Sequence, residues 1–199
     1  MKTRRFFSRG VFCVVIFGFA TMAMAGEPTQ QVKQTTDKIL AIVSDPTLKG
    51  SAKSEERKRR ISSAVDERFD WEEMARRSLG RHWAQRTPDE KREFIQLFRD
   101  LLERTYLEKV QGYSGEKVNY EGDTVDGDYG VVKVKILTSS AREIPVEYHL
   151  IKKGTNWLVY DFSIEGISWI NNYRSQFNSI LTKSSFKELV QRLKAKATP

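Results

Sequence analysis

The sequence has one cysteine, Cys13, and two histidines, His82 and His149. A lone thiol excludes an internal disulfide framework, and its place near the N-terminus sets it apart from the folded part of the chain. Neither histidine has a cysteine or a second histidine at metal-ligand spacing, which argues against a zinc site. There is no G-x-S-x-G, no P-loop and no G-x-G-x-x-G, so the common nucleophilic and nucleotide-binding motifs are missing. Past residue 25 no apolar run approaches the roughly 20 residues that span a bilayer. Internal repeats and low-complexity segments are also absent. The fold must therefore rest on a hydrophobic core, without disulfide or metal staples.

The first 25 residues have a separate purpose. Lys2, Arg4, Arg5 and Arg9 form a positive region, Val11 to Ala20 an apolar one, and Ala23-Met24-Ala25 a small-residue cleavage site. This is the pattern of a secretory signal peptide, with Gly26 as the expected mature start. Thr3-Arg4-Arg5-Phe6-Phe7 also fits a twin-arginine signal, so either export route suits the leader. Cleavage removes four cations and no acid, and the net charge falls from +8 to about +4. It also removes Cys13, leaving residues 26–199 as one expected domain in an oxidising compartment with no thiol to oxidise.

Helical patterns fill the first half. Pro28 to Ser44 carries Val32, Ile39, Leu40 and Val43 on one stripe and stops at Asp45-Pro46. Ser54 to Phe69 is highly charged, with only Ile61, Val65 and Phe69 apolar at helical spacing. Asp70 and Glu73 open a third helix that Gly80 closes. Thr87, Pro88 and Glu90 open a fourth, running to about Gln111, whose wide apolar face predicts the main lid over a sheet.

The period then switches to two. Lys117 to Glu121, Gly130 to Thr138, Glu143 to Lys153 and Thr155 to Glu165 read as four strands, and the short connections predict an antiparallel meander. One face carries Val132, Val134 and Ile136, then Ile144, Val146, Tyr148 and Leu150, then Leu158, Tyr160, Phe162 and Ile164. The other carries Lys133, Lys135, Glu147 and His149, as expected of a sheet wet on one side. Ser168 and Ser185 cap two further helices. The predicted class is α+β: a curved four-stranded antiparallel sheet with helices on one face. Periodicity is equally compatible with a filled core and with a lined cavity.

Chemistry-bearing residues are sparse. His149 and Glu147 share a strand face, but the one opposite the apolar set. Asp161 suits a base only if buried in a cleft, and otherwise bonds a neighbouring loop. The run Arg57 to Arg60 follows Glu55-Glu56 and reads as a solvated helix face. Interleaved cations and acids disfavour nucleic acid. The residues favour a binding protein over an enzyme. Asp161 or His149 would serve the alternative, a secreted enzyme of a cone-shaped α+β fold.

Four stretches carry a resemblance: RFDWEEMARRSLGRHW (68–83), TPDEKREFIQLFRDLLERTYLEKVQGYSGEKV (87–118), EIPVEYHL (143–150) and NWLVYDFSIEGISWINNYRSQF (156–177). In content and order they resemble the toluene-tolerance (MlaC) family, the periplasmic phospholipid-binding components of the maintenance-of-lipid-asymmetry (Mla) pathway. The resemblance covers nearly all of the mature chain. It implies a soluble periplasmic monomer without a cofactor, whose cargo is phospholipid. Implied partners are an outer-membrane lipoprotein complex and an inner-membrane ABC transporter complex. A quinone or hopanoid is the alternative cargo.

The resemblance also turns the apolar sheet face into a cavity wall. The implied lining is Val132, Val134, Ile136, Val146, Tyr148, Leu150, Tyr160, Phe162 and Ile164, with Leu97, Leu101 and Tyr106 above and Trp169, Tyr173 and Phe177 at one side. Arg142, Lys152 and Arg174 are candidates for the lipid phosphate. Trp71 and Trp169 stand where the family usually has a smaller apolar residue, a departure that would narrow the cavity and limit the tails it holds.

Overall fold

The computed structural model describes residues 26–111 and 115–197; the expected leader lies outside them, as do the side chains of residues 106, 108–111 and 197. The order is α1 (Glu27–Ser44), two short 3-10 turns, α2 (Ser54–Asp66), α3 (Trp71–Leu79), a 3-10 turn, α4 (Pro88–Gln111), β1 (Lys117–Asp126), β2 (Tyr129–Leu137), β3 (Glu143–Lys153), β4 (Asn156–Ile164), β5 (Ile167–Ser168), α5 (Trp169–Lys183) and α6 (Phe186–Ala197). The strands form one antiparallel meander in chain order. The α+β class holds, and the sheet gains a two-residue fifth strand beyond the tight Glu165-Gly166 turn. Both turn residues adopt positive φ, which Gly166 tolerates freely.

Helix starts follow their side-chain signals. The Asp70 carboxylate accepts the Glu73 N–H at 3.1 Å. Thr87 and Glu90 cap reciprocally, with the Glu90 side chain accepting the Thr87 N–H and Thr87 Oγ accepting the Glu90 N–H. The Ser168 and Ser185 hydroxyls cap α5 and α6 by accepting the Asn171 and Glu188 N–H groups.

Three expectations need correction. First, the charged second helix ends at Asp66, and Phe69 leaves it in extended backbone. The Val159 N–H donates to the Arg68 carbonyl at 2.8 Å and the Asp70 N–H donates to the Val159 carbonyl at 2.9 Å. The edge of β4 thus takes hydrogen bonds that a longer helix would have kept to itself. Second, β1 does not stop before Gly122. It bulges between Tyr120 and Gly122, where φ is +104°, and continues to Asp126.

Third, β4 does not present Leu158, Tyr160, Phe162 and Ile164 on one face. Tyr148 pairs with Phe162 and His149 with Asp161, but Leu150 pairs with Val159, so Tyr160 is the extra residue of a β-bulge. A one-residue slip exchanges faces for everything beyond it. Trp157 and Val159 consequently point inward, at 2% and 1% exposure, while Leu158 joins the outer face. Trp157 fits because its ring lies over Gly130, where a Cβ would approach within 3.1 Å.

The core has a sheet part and a helical part. In the first, Val32 of α1 packs on Val132, Val134, Val146, Leu150, Trp157 and Val159. Asp123, on the inner face of β1, fixes the start of α1 by accepting from the Gly26 N–H and the Thr29 hydroxyl. In the second, the stacked Phe94 and Phe98 of α4 meet Phe177 edge-on, with ring centroids 5.6 Å away from each. The expected lid role therefore belongs to α1, while α4 is the centre of a helical cluster with α3, α5 and α6. The outer sheet face carries Lys133 against Glu147 at 3.7 Å, and Lys135 between Glu121 and Glu143.

Asp161 joins sheet to helix. Its carboxylate accepts the N–H groups of Phe162 and Ile170 and the Ser168 hydroxyl, at 2.7, 3.1 and 2.6 Å. With its lone pairs so engaged it acts as a structural cap for α5. Asp161→Ala is expected to lower unfolding free energy by about 2 kcal/mol, from the loss of charge-assisted hydrogen bonds, measured by urea denaturation. A change below about 0.5 kcal/mol would show that these bonds contribute little.

Candidate functional site

Between the inner sheet face and the first helices lies an apolar cavity of about 200 Å³. Ile136, Val146, Tyr148, Val159, Phe162 and Ile164 form its floor. The roof comes from Val32, Thr35, Thr36 and Ile39 of α1, Val65 of α2, Phe69, Trp71 of α3 and Leu102 of α4. The i, i+4, i+7 spacing of Val32, Thr36 and Ile39 puts these three on one stripe of α1. Phe69 and Trp71 stack at 5.4 Å, and Phe162 meets Phe69 at a steeper angle, closing the side towards the helical cluster.

Polar groups are few and mostly engaged. Arg68 is the one cation in the lining and is partly buried. Its guanidinium donates to Thr35 Oγ at 3.2 Å, to Gln31 Oε1 and to the Trp157 carbonyl at 2.8 Å. Gln31 Oε1 also accepts the Trp157 N–H, so one arginine ties α1 to the sheet edge. Desolvation lowers the Arg68 pKa without approaching neutrality at ordinary pH. Tyr148 is only partly exposed and lines the cavity; burial pushes its phenol up to about 12. A cavity that disfavours a phenolate is a low-dielectric compartment.

Of the lining expected from sequence, Ile136, Val146, Tyr148, Phe162 and Ile164 meet here. Val132, Val134 and Leu150 lie in the packed part of the sheet core, at 0–2% exposure. Tyr160 turns away at the bulge. Leu97, Trp169, Leu101, Tyr173 and Phe177 pack into or against the helical cluster. The last three also border a larger, open groove of about 780 Å³ between α4, α5 and α6, edged by Gln176, Arg192 and Lys196. Tyr106 lies on α4, with its side chain outside the described residues. The sheet-side cavity is the more apolar of the two, because apolar walls face it from both layers, whereas the groove opens on a polar rim.

The proposed phosphate ligands do not converge. Arg142 pairs with Glu165 in the turn region, Lys152 with Glu27 at 3.6 Å, and Arg174 borders depressions beside α5. None lines the cavity. The cavity is also lined by residues outside the expected set: Arg68, the α1 stripe, and Val65, Phe69, Leu102 and Val159. The stripe was legible in its spacing. Arg68 was hidden because its position depends on the chain leaving α2 three residues earlier than expected.

Among the described residues no His, Cys, Asp or Glu lines the cavity. His149 lies on the outer face beside Tyr160, and His82 contacts Asn178 at 3.1 Å. Among the described residues no three His, Cys, Asp or Glu side chains could share a metal ion, and no helix is long and apolar enough to cross a membrane.

The chain was compared with known proteins. It is 22% identical over 125 residues to the intermembrane phospholipid transport system binding protein MlaC of Haemophilus influenzae, spanning 60% of this chain and 58% of that relative. The match thus covers less than two thirds of that relative's length. Its fold is similar to the solved structure of a phospholipid-binding protein from Ralstonia solanacearum in complex with a phospholipid, with a TM-score of 0.76 and 25% identity over 86% of this chain and 97% of that one. The MlaC protein family matches residues 33–195, most of the sequence and every element from within α1 to within α6, so the chain belongs to the MlaC family.

Proposed function

We propose that this protein is a periplasmic phospholipid carrier that holds acyl chain between its sheet and its first helices. The observation that carries the reading is the partly open apolar cavity under the Ile136–Ile164 part of the sheet, in a family member whose structural relative binds a phospholipid. In this reading residues 1–25 direct export, the mature monomer needs no cofactor, and it does no covalent chemistry on its cargo. It collects and delivers lipid at two partners, an outer-membrane lipoprotein complex and an inner-membrane ABC transporter complex.

The energetics suit a carrier. Each methylene kept from water is worth about 0.8 kcal/mol, so two tails with roughly 14 buried methylenes each represent some 20 kcal/mol. A bilayer offers nearly the same, so small differences at the docked partners decide loading and release. At about 200 Å³ the cavity is smaller than the roughly 300–1,000 Å³ of pockets that enclose a medium-sized ligand. Loading therefore displaces a wall. The aromatic helical cluster is closely packed, whereas α1 buries mainly Pro28, Thr29, Val32, Thr35 and Val43. α1 is the wall that yields. Arg68, with a guanidinium N–H pair beyond its three bonded partners, is the cation placed to meet the phosphate.

Native mass spectrometry of protein purified without added lipid is expected to show bound phospholipid. Protein that is empty, or loaded with quinone or hopanoid, would overturn the assignment. Val146→Trp should fill the cavity and cut bound lipid at least tenfold while circular dichroism stays native. Trp71→Ala should accept longer or additional tails, at a stability cost of about 3 kcal/mol. If both variants keep wild-type cargo, the lipid sits elsewhere.

Tyr148 gives a pH test. Its folded pKa, about 12, lies above the unfolded value near 10, so its contribution is complete below pH 10 and disappears as pH rises towards 12. Tyr148→Phe is expected to move the alkaline unfolding midpoint upward, and an unchanged midpoint would mean that Tyr148 titrates normally.

A further inference from the structure

On the far side of β4 from the cavity, two polar depressions of about 290 and 450 Å³ lie side by side and share Asn171 and Arg174. The first is also bordered by Arg77, His149 and Tyr160, the second by Arg81 and Asn178. Three guanidinium groups thus line one stretch of surface whose single carboxylate, Asp161, is consumed by the hydrogen bonds that cap α5. Arg174 is exposed, and no ion pair involving it is found among the described residues. Arg81 donates only to the Asn178 amide oxygen, at 3.0 Å. Arg77 is held in place by Glu73 and lies over the Tyr160 ring at 3.8 Å. The bulge in β4 sets Tyr160 at this outer edge, where Tyr129, 48% exposed, meets it edge-on at 6.0 Å.

We propose that this strip is a docking surface for an acidic protein segment that presents several carboxylates and an apolar or aromatic side chain. The inference goes beyond the cargo reading and does not depend on it. Partly exposed tyrosines bordered by arginines are the composition of an interface centre. Three guanidinium groups spread over two adjoining depressions suit carboxylates spaced along a chain better than one phosphate. The aromatic part is a sheet face and lacks a protruding apolar helix, which a membrane anchor would need to reach between head groups. A symmetric second copy would set Arg81 and Arg174 against their own equivalents, so self-association is disfavoured.

The test uses the mature chain and a fluorescein-labelled peptide alternating Glu and Asp with one Trp and one Leu, with a Gln/Asn version as control. The acidic peptide is expected to bind, the control not, and added salt should weaken binding. Arg81→Glu/Arg174→Glu should weaken it at least tenfold. Arg59→Glu/Lys187→Glu, an equal charge change at exposed sites elsewhere, should weaken it less than twofold. Equal losses in the two double variants would mean unspecific attraction and overturn the proposal. So would no binding by the wild-type chain, or full competition by millimolar inorganic phosphate. Binding to phosphatidylglycerol vesicles in place of the peptide, or a concentration-dependent dimer by sedimentation, would overturn it equally. Phospholipid content of Arg81→Glu/Arg174→Glu should stay unchanged; its loss would assign the strip to the cargo site and end the docking proposal.

Discussion

The structure depends on three residues, Arg68 to Asp70, laid along the edge of β4. Their backbone takes up both polar groups of Val159, and each side chain then joins two further parts. The Arg68 guanidinium reaches Gln31 and Thr35 of α1. The Phe69 ring packs against all three apolar clusters of the protein. The Asp70 carboxylate caps α3 and, though 6% exposed, meets Lys153 of β3 at 2.6 Å. This strap adds to the direct contacts that α3 and α5 make with β4. Arg68 and Phe69 both line the cavity, so the strap supplies part of its wall and, among the described residues, its one lining cation.

The bulge at Tyr160 is the second constraint, and its consequences run in opposite directions. Inward, it delivers Trp157 and Val159 to the sheet core, and Val159 joins Ile136, Val146, Tyr148, Phe162 and Ile164 on the cavity floor. Outward, it sets Tyr160 beneath Arg77 and beside Tyr129 and His149. A regular strand would have placed Tyr160 inside and Trp157 in water. One unpaired residue therefore separates an apolar interior from an arginine-lined exterior.

Much of this was legible in the sequence because the signals were local. Cap residues at Asp70, Thr87, Ser168 and Ser185 mark helix starts by side-chain hydrogen bonds made within three residues. Alternation in β2 and β3 gives the inner face correctly, since those central strands pair without irregularity over Val132 to Ile136 and Val146 to Tyr148. What escaped depends on distant partners. Alternation alone cannot tell Leu158-Tyr160 from Trp157-Val159, because apolar residues occupy both phases and the choice is made by Gly130 leaving room for the Trp157 ring. The exit of Phe69 from α2 is decided by unpaired groups on β4, about 90 residues later in the chain. Leu97, Tyr173 and Phe177 fit a cavity wall by period, yet the same period serves a filled helical core, and the phenylalanines of α4 fill it.

For the carrier proposed above, the contrast between the sheet with α1 and the helical cluster bears on how the cavity would open. In the helical cluster, rings at 5 to 6 Å interlock on several sides, and parting them would expose large apolar areas at about 25 cal/mol per Å². Over the sheet, α1 contributes threonines, one central valine and hydrogen bonds through Gln31 and Asp123. Threonine surface loses little on separation, and polar bonds can be exchanged for water at small net cost. Incoming acyl chain would replace the contacts that Val32 and Ile39 give up. In the proposed carrier, a closely packed aromatic half and a hydrogen-bonded cover would divide two requirements, shape on one side and access on the other, between different parts of one small domain.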